Sequence, residues 1–115
     1  MSAREPHQFD VWWARLPEPA GRRPVLLLSR TSAYSYLTRV LVVEVTTTVR
    51  GVPQEVALGE REGLRRACVA NLDTLRTVPT SCLDARAGRL AARRHVEVQR
   101  ALGHALHWPE LTALG

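Results

Sequence analysis

Two polar residues stand at the ends of apolar runs in the first half of this chain. Arg23 precedes Pro24-Val25-Leu26-Leu27-Leu28-Ser29, and Thr46 follows Val40-Leu41-Val42-Val43-Glu44-Val45. An arginine offers a planar, permanently charged fork of N–H donors that fits the oxygens of a phosphate, and a threonine hydroxyl both donates and accepts. At strand ends, where loops converge, such a pair can hold one phosphate between them. Each residue also has an ordinary structural use. Arg22 or Arg23 can meet a sheet-edge carboxylate such as Glu44 or Glu55, and a threonine heading Thr46-Thr47-Thr48 can serve only as a β-former or turn residue.

The elements that must position this pair are short and strand-like. Residues 11–16 are rich in β-formers and are broken by Pro17-Glu18-Pro19-Ala20-Gly21, while residues 24–29 form an apolar run short enough for a strand buried on both faces. Residues 30–38 read as a surface loop or short helical turn and 40–45 as a third strand. A connection through Gly51 then leads to a fourth strand at 55–58, expected as a hairpin partner of the third. Beyond the polar loop 59–66, segments 68–72 and 74–78 read as two further strands, the second stopped by Pro79. Short strands at this spacing indicate a mainly β fold, a small barrel. Over 90–106 the period changes: Val98, Ala101, Leu102 and Ala105 fall on one helical face, expected to cover an open end of the sheet, with Pro109 ending the helix.

Composition narrows the class. With 115 residues the chain is expected to be one domain, residues 1–115, large enough to bury roughly two-thirds of its unfolded surface. The net charge of +5 favours a polyanionic partner, but all sixteen basic residues are arginine, so position rather than number must decide which of them bind. Residues 1–10 contain no apolar run and no segment approaches the ~18 apolar residues of a membrane span, so a cytoplasmic protein with no membrane partner is expected. Cys68 and Cys82 lack a CxxC or His-rich context, so neither a disulfide framework nor a metal or other cofactor is indicated; Cys68 is expected in the core. His7 lies in the N-terminal tail and His95, His104 and His107 near the C-terminal helix, which leaves no histidine pair for acid–base work.

Gly21-Arg22-Arg23-Pro24 leading into an apolar strand, and Thr46 followed by Arg50-Gly51 and, seven residues on, Pro53, together resemble the MazF/PemK family of toxin endoribonucleases. The likeness runs from Asp10 to Leu106 and includes Glu55-Val56, Leu58, Gly63-Leu64 and Asn71-Leu72, with Asn71 where Gln is commoner. It implies a small SH3-like β-barrel of the CcdB/MazF type with a C-terminal helix. It also implies that Arg23 and Thr46 are catalytic, and that Arg22, Thr47, Arg50 and Asn71 are candidates for RNA binding. Some members carry a Glu a few residues before the arginine, which makes Glu18 a candidate acid or base. Here the loop 17–22 is shorter than usual and lacks the common Gly-Ser-Glu-Gln stretch, so a solvated loop carboxylate is the competing reading of Glu18.

The implied activity is metal-independent cleavage of single-stranded RNA. The substrate's own 2′-hydroxyl attacks the adjacent phosphorus and the 5′-oxygen leaves, giving 2′,3′-cyclic phosphate and 5′-hydroxyl ends. A proton must leave the nucleophile, charge on the transition state must be stabilised, and the leaving oxygen must be protonated. Arg23 suits the second service, since a guanidinium is too weak an acid to act readily as a base at neutral pH. The family further implies a homodimer with RNA grooves between subunits and a MazE-like antitoxin that fills them. Two alternatives remain at this point: a CcdB-like gyrase inhibitor, whose Trp-Gly-Ile tail is not matched by Leu111-Thr112-Ala113-Leu114-Gly115, and a catalytically inactive RNA-binding module on the same fold.

Overall fold

In the computed structural model, which describes residues 5–115, β-branched and aliphatic runs form seven strands among the described residues. These are β1 Asp10–Arg15, β2 Arg22–Leu27, β3 Arg39–Thr46, β4 Glu55–Leu58, β5 Cys68–Asn71, β6 Arg76–Pro79 and β7 Leu83–Arg89, followed by helices α1 His95–Leu106 and α2 Pro109–Thr112. The sheet order is β4-β5-β3-β2-β1-β7, and β6 also pairs with β3. The first half of β3 takes β6 as its neighbour (Val40↔Val78), and its last two residues take β5 (Val45↔Ala70, Thr46↔Val69). This handover curls the sheet into a half-barrel.

Strand alternation divides the interior into two apolar clusters. Val11, Leu26, Val43 and Val45 pack with Val56, Ala70, Val98 and Ala101, so α1 closes one side. Trp12, Ala14, Val25, Leu27, Val42 and Val78 fill the other. On α1, Val98 and Ala101 are buried, and Leu102 and Ala105 pack at the cluster's edge, as their spacing required. Burying Val98 contributes roughly 1.5–3 kcal/mol, enough to fix the helix against the sheet.

Several boundaries and one pairing differ from expectation. β4 does not pair with β3. The more apolar β5 lies between them, and β4 pairs with β5 through Val56↔Ala70. The connection over 47–54 is therefore a crossover, pinned where the Glu55 carboxylate accepts the amides of Arg50, Gly51 and Val52. β2 begins at Arg22, so Arg23 lies inside a paired strand opposite Ala14. β6 starts only at Arg76 because Leu72–Thr74 form a 3-10 turn, capped where Asn71 Oδ1 accepts the amide of Asp73. α1 starts at His95 rather than 90. Pro109 does not end it: His107 turns the chain in a left-handed conformation (φ 51°), and Pro109 opens α2. No helix is long and apolar enough to cross a membrane among the described residues.

Candidate active site at the ends of β2 and β3

Register brings the predicted pair together. Val25 is paired with Glu44, so two residues back on β2 and two on along β3 Arg23 and Thr46 fall on the same face as that pair. Val42 is paired with Arg76, which places Arg76 on this face as well. The contacts agree: Arg23 Nη1 donates to Glu44 Oε1 at 3.2 Å, and Arg76 Nη1 to Glu44 Oε2 at 3.1 Å. One carboxylate thus bridges two guanidinium groups. The backbone of Glu44 is held by the turn beyond β5, its amide donating to Thr74 Oγ1 while Thr74 Oγ1 donates to the carbonyl of Asn71.

The bridge leaves Arg23 partly free. Its Nε is buried and finds no hydrogen-bond partner in the protein. A buried N–H of this kind normally has a partner, so an unsatisfied one in a side chain that lines a cavity calls for an explanation. Thr46 is similarly half engaged: its Oγ1 accepts the amide of Thr48 at 3.1 Å, which leaves its own O–H free to donate.

Both residues open onto one cavity of about 670 Å³. Trp13, Pro24, Val45, Leu64 and Cys68 give it an apolar lining, while Arg22, Arg65, Arg66 and Thr47 add polar groups. Burial pushes the Cys68 thiol above its ordinary pKa, and the nearby Glu62 charge adds to the effect, so Cys68 serves as an apolar wall at neutral pH. Period two turns Arg22 to the other face of β2 from Arg23, and at the start of the strand both still border the cavity. Arg22 stacks over the Trp13 ring, 4.8 Å from Cζ to centroid, and donates to Asp84 Oδ2 at 2.9 Å. That hydrogen bond, outweighing partial burial and helped by Arg15, holds the Asp84 carboxyl below the usual range.

Arg65 and Arg66 escape a reading by motif, because they lie in a polar loop whose path depends on two glycines. A Cβ on Gly63 would fall 1.9 Å from the Ala87 carbonyl oxygen, and one on Gly88 2.3 Å from that of Glu62. This backbone-to-backbone approach between β7 and the loop, together with the bonds of Gly63 and Leu64 back to Glu60 and Gly59, fixes the segment from which the two arginines reach the cavity rim. Gly63-Leu64 was the available signal.

The other candidates lie elsewhere. Glu18 is exposed in the loop between β1 and β2 and does not line the cavity. Arg50 sits in the exposed crossover and Asn71 caps its turn, and neither lines the cavity. His7 and His95 line a separate cavity of about 350 Å³ beside Phe9 and Arg89, which shares no residue with the first. No group of three or more His, Cys, Asp or Glu side chains placed to hold a metal occurs among the described residues.

A curled half-barrel with a helix across one side, and an arginine and a threonine sharing one arginine-rimmed cavity at its strand ends, defines a small, mainly β fold with a basic pocket. Known proteins place it further. The family of PemK-like, MazF-like toxins of type II toxin-antitoxin systems matches residues 7–106, and the chain belongs to it. It is similar to the probable endoribonuclease MazF5 of Mycobacterium tuberculosis, 41% identical over 98 residues that cover 84% of this chain and 89% of that one. It also resembles the endoribonuclease MazF3 of the same species, 38% identical over 88 residues, 75% of this chain and 85% of the relative. Among solved structures, the Mycobacterium tuberculosis toxin MazF-mt6 superposes with a TM-score of 0.80 at 34% identity, covering 85% of this chain and 96% of that one. A mycobacterial endoribonuclease in complex with its cognate antitoxin superposes at 0.77 and 27% identity, over 90% and 97% of the two chains.

Proposed function

We propose that this chain is the toxin of a type II toxin-antitoxin system and an endoribonuclease that cuts single-stranded RNA, with Arg23 and Thr46 as its catalytic residues. The observation that carries this is the shared cavity, onto which open an arginine with an unpaired buried Nε and a threonine with a free hydroxyl proton. The scissile phosphate sits against both. Arg23 donates to the non-bridging oxygens, whose charge grows as the 2′-oxygen bonds to phosphorus, and Thr46 fixes the phosphate with one further donor. As the P–O2′ bond forms, the P–O5′ bond breaks. The 2′-hydroxyl gives up one proton and the departing 5′-oxygen takes one, so the products are a 2′,3′-cyclic phosphate and a 5′-hydroxyl with no other atom consumed. The 2′-hydroxyl is the nucleophile, so no metal-bound water is required.

The apolar lining suits a base or ribose beside the phosphate, while Arg22, Arg65 and Arg66 suit the flanking phosphates. Thr47 stands at the same rim. Residues 1–115 form a single cytoplasmic toxin domain that pairs into a homodimer, and an acidic antitoxin segment competes with RNA for the groove. The test is direct. The purified protein is incubated in excess EDTA with a structure-poor transcript and the new ends are mapped. Discrete cuts bearing 5′-hydroxyl ends are expected, and an intact transcript at stoichiometric protein overturns the reading.

A further inference from the structure

We propose that Glu44 is a positioning residue that sets the aim and tempers the charge of Arg23, with Arg76 holding Glu44 in turn; this rests on the assignment of Arg23 as the phosphate-binding group. Glu44 is mid-strand with a side chain 23% exposed, and each of its oxygens meets a different guanidinium, Arg23 at 3.2 Å and Arg76 at 3.1 Å. Its backbone is fixed on both sides: by pairing with Val25 in β2, and by the Thr74 hydroxyl that accepts its amide. A guanidinium has five N–H donors in a rigid plane. With Nη1 committed to Glu44, rotation about the side chain's last bonds is arrested, and Nε stays buried without a partner while the side chain as a whole lines the cavity.

The arrangement also has a charge consequence. Glu44 lies between Arg23 and Arg76, so the three side chains together carry one positive charge rather than two. Removing the carboxylate therefore does two opposite things. It makes the groove more attractive to a polyanion in the ground state, and it lets the fork wander from the geometry needed when charge develops on the phosphate. A merely structural contribution predicts neither, since loss of folded protein lowers the apparent kcat and leaves KM alone.

The experiment compares wild type, Glu44→Ala, Glu44→Gln and Arg76→Ala on a short oligoribonucleotide carrying a mapped cleavage site, with circular dichroism to verify folding. Glu44→Ala should lower kcat about tenfold or more while KM falls about two- to fivefold, because orientation is lost while net positive charge rises. Glu44→Gln keeps a carbonyl that can accept from Arg23 Nη1, so it should restore most of kcat yet keep the lowered KM. Arg76→Ala should lower kcat less than Glu44→Ala. A folded Glu44→Ala or Glu44→Gln protein with wild-type kcat and KM, or one in which kcat falls with KM unchanged, overturns the proposal.

A second readout is independent of cleavage. In 15N spectra of the arginine side chains, the Nε–H signal of Arg23, assigned through Arg23→Lys, should be sharp in wild type and Glu44→Gln. In Glu44→Ala it should broaden or exchange rapidly. Wild-type protein that leaves RNA intact overturns the endoribonuclease reading, whereas an Arg23 signal unchanged by Glu44→Ala overturns the positioning role alone.

Discussion

At the residue scale, the proposed chemistry divides between a charged fork and a hydroxyl that the register of β2 and β3 brings side by side. Arg23→Ala removes the fork and is expected to abolish cleavage in a folded protein. Thr46→Ala should lower kcat by at least ~100-fold, a typical effect of losing one transition-state donor, with Thr46→Ser recovering much of it. Steady-state kinetics on one short RNA check both, and a Thr46→Ala enzyme at the wild-type rate would falsify its assignment. These two residues were legible in the sequence because their surroundings, Gly21 to Pro24 and Thr46 to Pro53, form motifs at a matched separation. The contact of Arg23 with Glu44 appeared there only as an alternative to a phosphate role. In the fold the two are compatible, because the carboxylate occupies Nη1 and leaves Nε unpaired. Arg65 and Arg66 were not legible, since nothing local in the sequence distinguishes them from the chain's fourteen other arginines.

At the element scale, the crossover from β3 to β4 hangs on one side chain. Burial pulls the Glu55 carboxyl upward in pKa, but the amides of Arg50, Gly51 and Val52 and the Arg50 charge outweigh it and leave its pKa lowered. A depressed carboxylate pKa stabilises the fold above the unfolded value, near 4.5, and that contribution disappears as pH falls through the folded value. The protection factors of the Gly51 and Val52 amides, each taken against the intrinsic exchange rate at the same pH, should therefore exceed those of the neighbouring loop at neutral pH and fall on acidification below about 4.5. Glu55→Gln should show the lowered protection already at pH 7, and equal protection in the two proteins contradicts the role given to this carboxylate. The loop at Gly63 is a second such point. Gly63→Ala forces a Cβ into the Ala87 carbonyl and takes on a left-handed φ of 85°, so a loss of about 2 kcal/mol or more is expected by denaturant titration. The sequence showed the helix face and most strands because their periodicity is local. It showed neither the insertion of β5 between β3 and β4, which long-range pairing decides, nor β7, whose Ala, Arg and Gly have little strand propensity until paired with β1.

At the scale of the whole molecule, the chain carries a net charge of +5, and Arg22, Arg23, Arg65 and Arg66 line one cavity. Binding of an uncleavable RNA should weaken steeply with salt, and each phosphate contact removed by Arg65→Ala or Arg66→Ala should reduce the log–log slope by about one. Arg50→Ala tests the groove's reach in the same assay. An unchanged slope there confines the RNA to the cavity at β2 and β3. Light scattering should find a dimer at working concentration, and an acidic antitoxin segment should displace the RNA; simultaneous binding of both contradicts a shared groove. The central claim, that the substrate's own 2′-hydroxyl is the nucleophile at a phosphate held by Arg23 and Thr46, is tested most directly by an RNA with a single deoxyribose on the 5′ side of the mapped scissile phosphate. That strand should bind as tightly as its ribose parent yet remain whole in the presence of the wild-type protein. Cleavage of the deoxy strand at the same bond contradicts the account, because water or the protein would then have to be the attacking group.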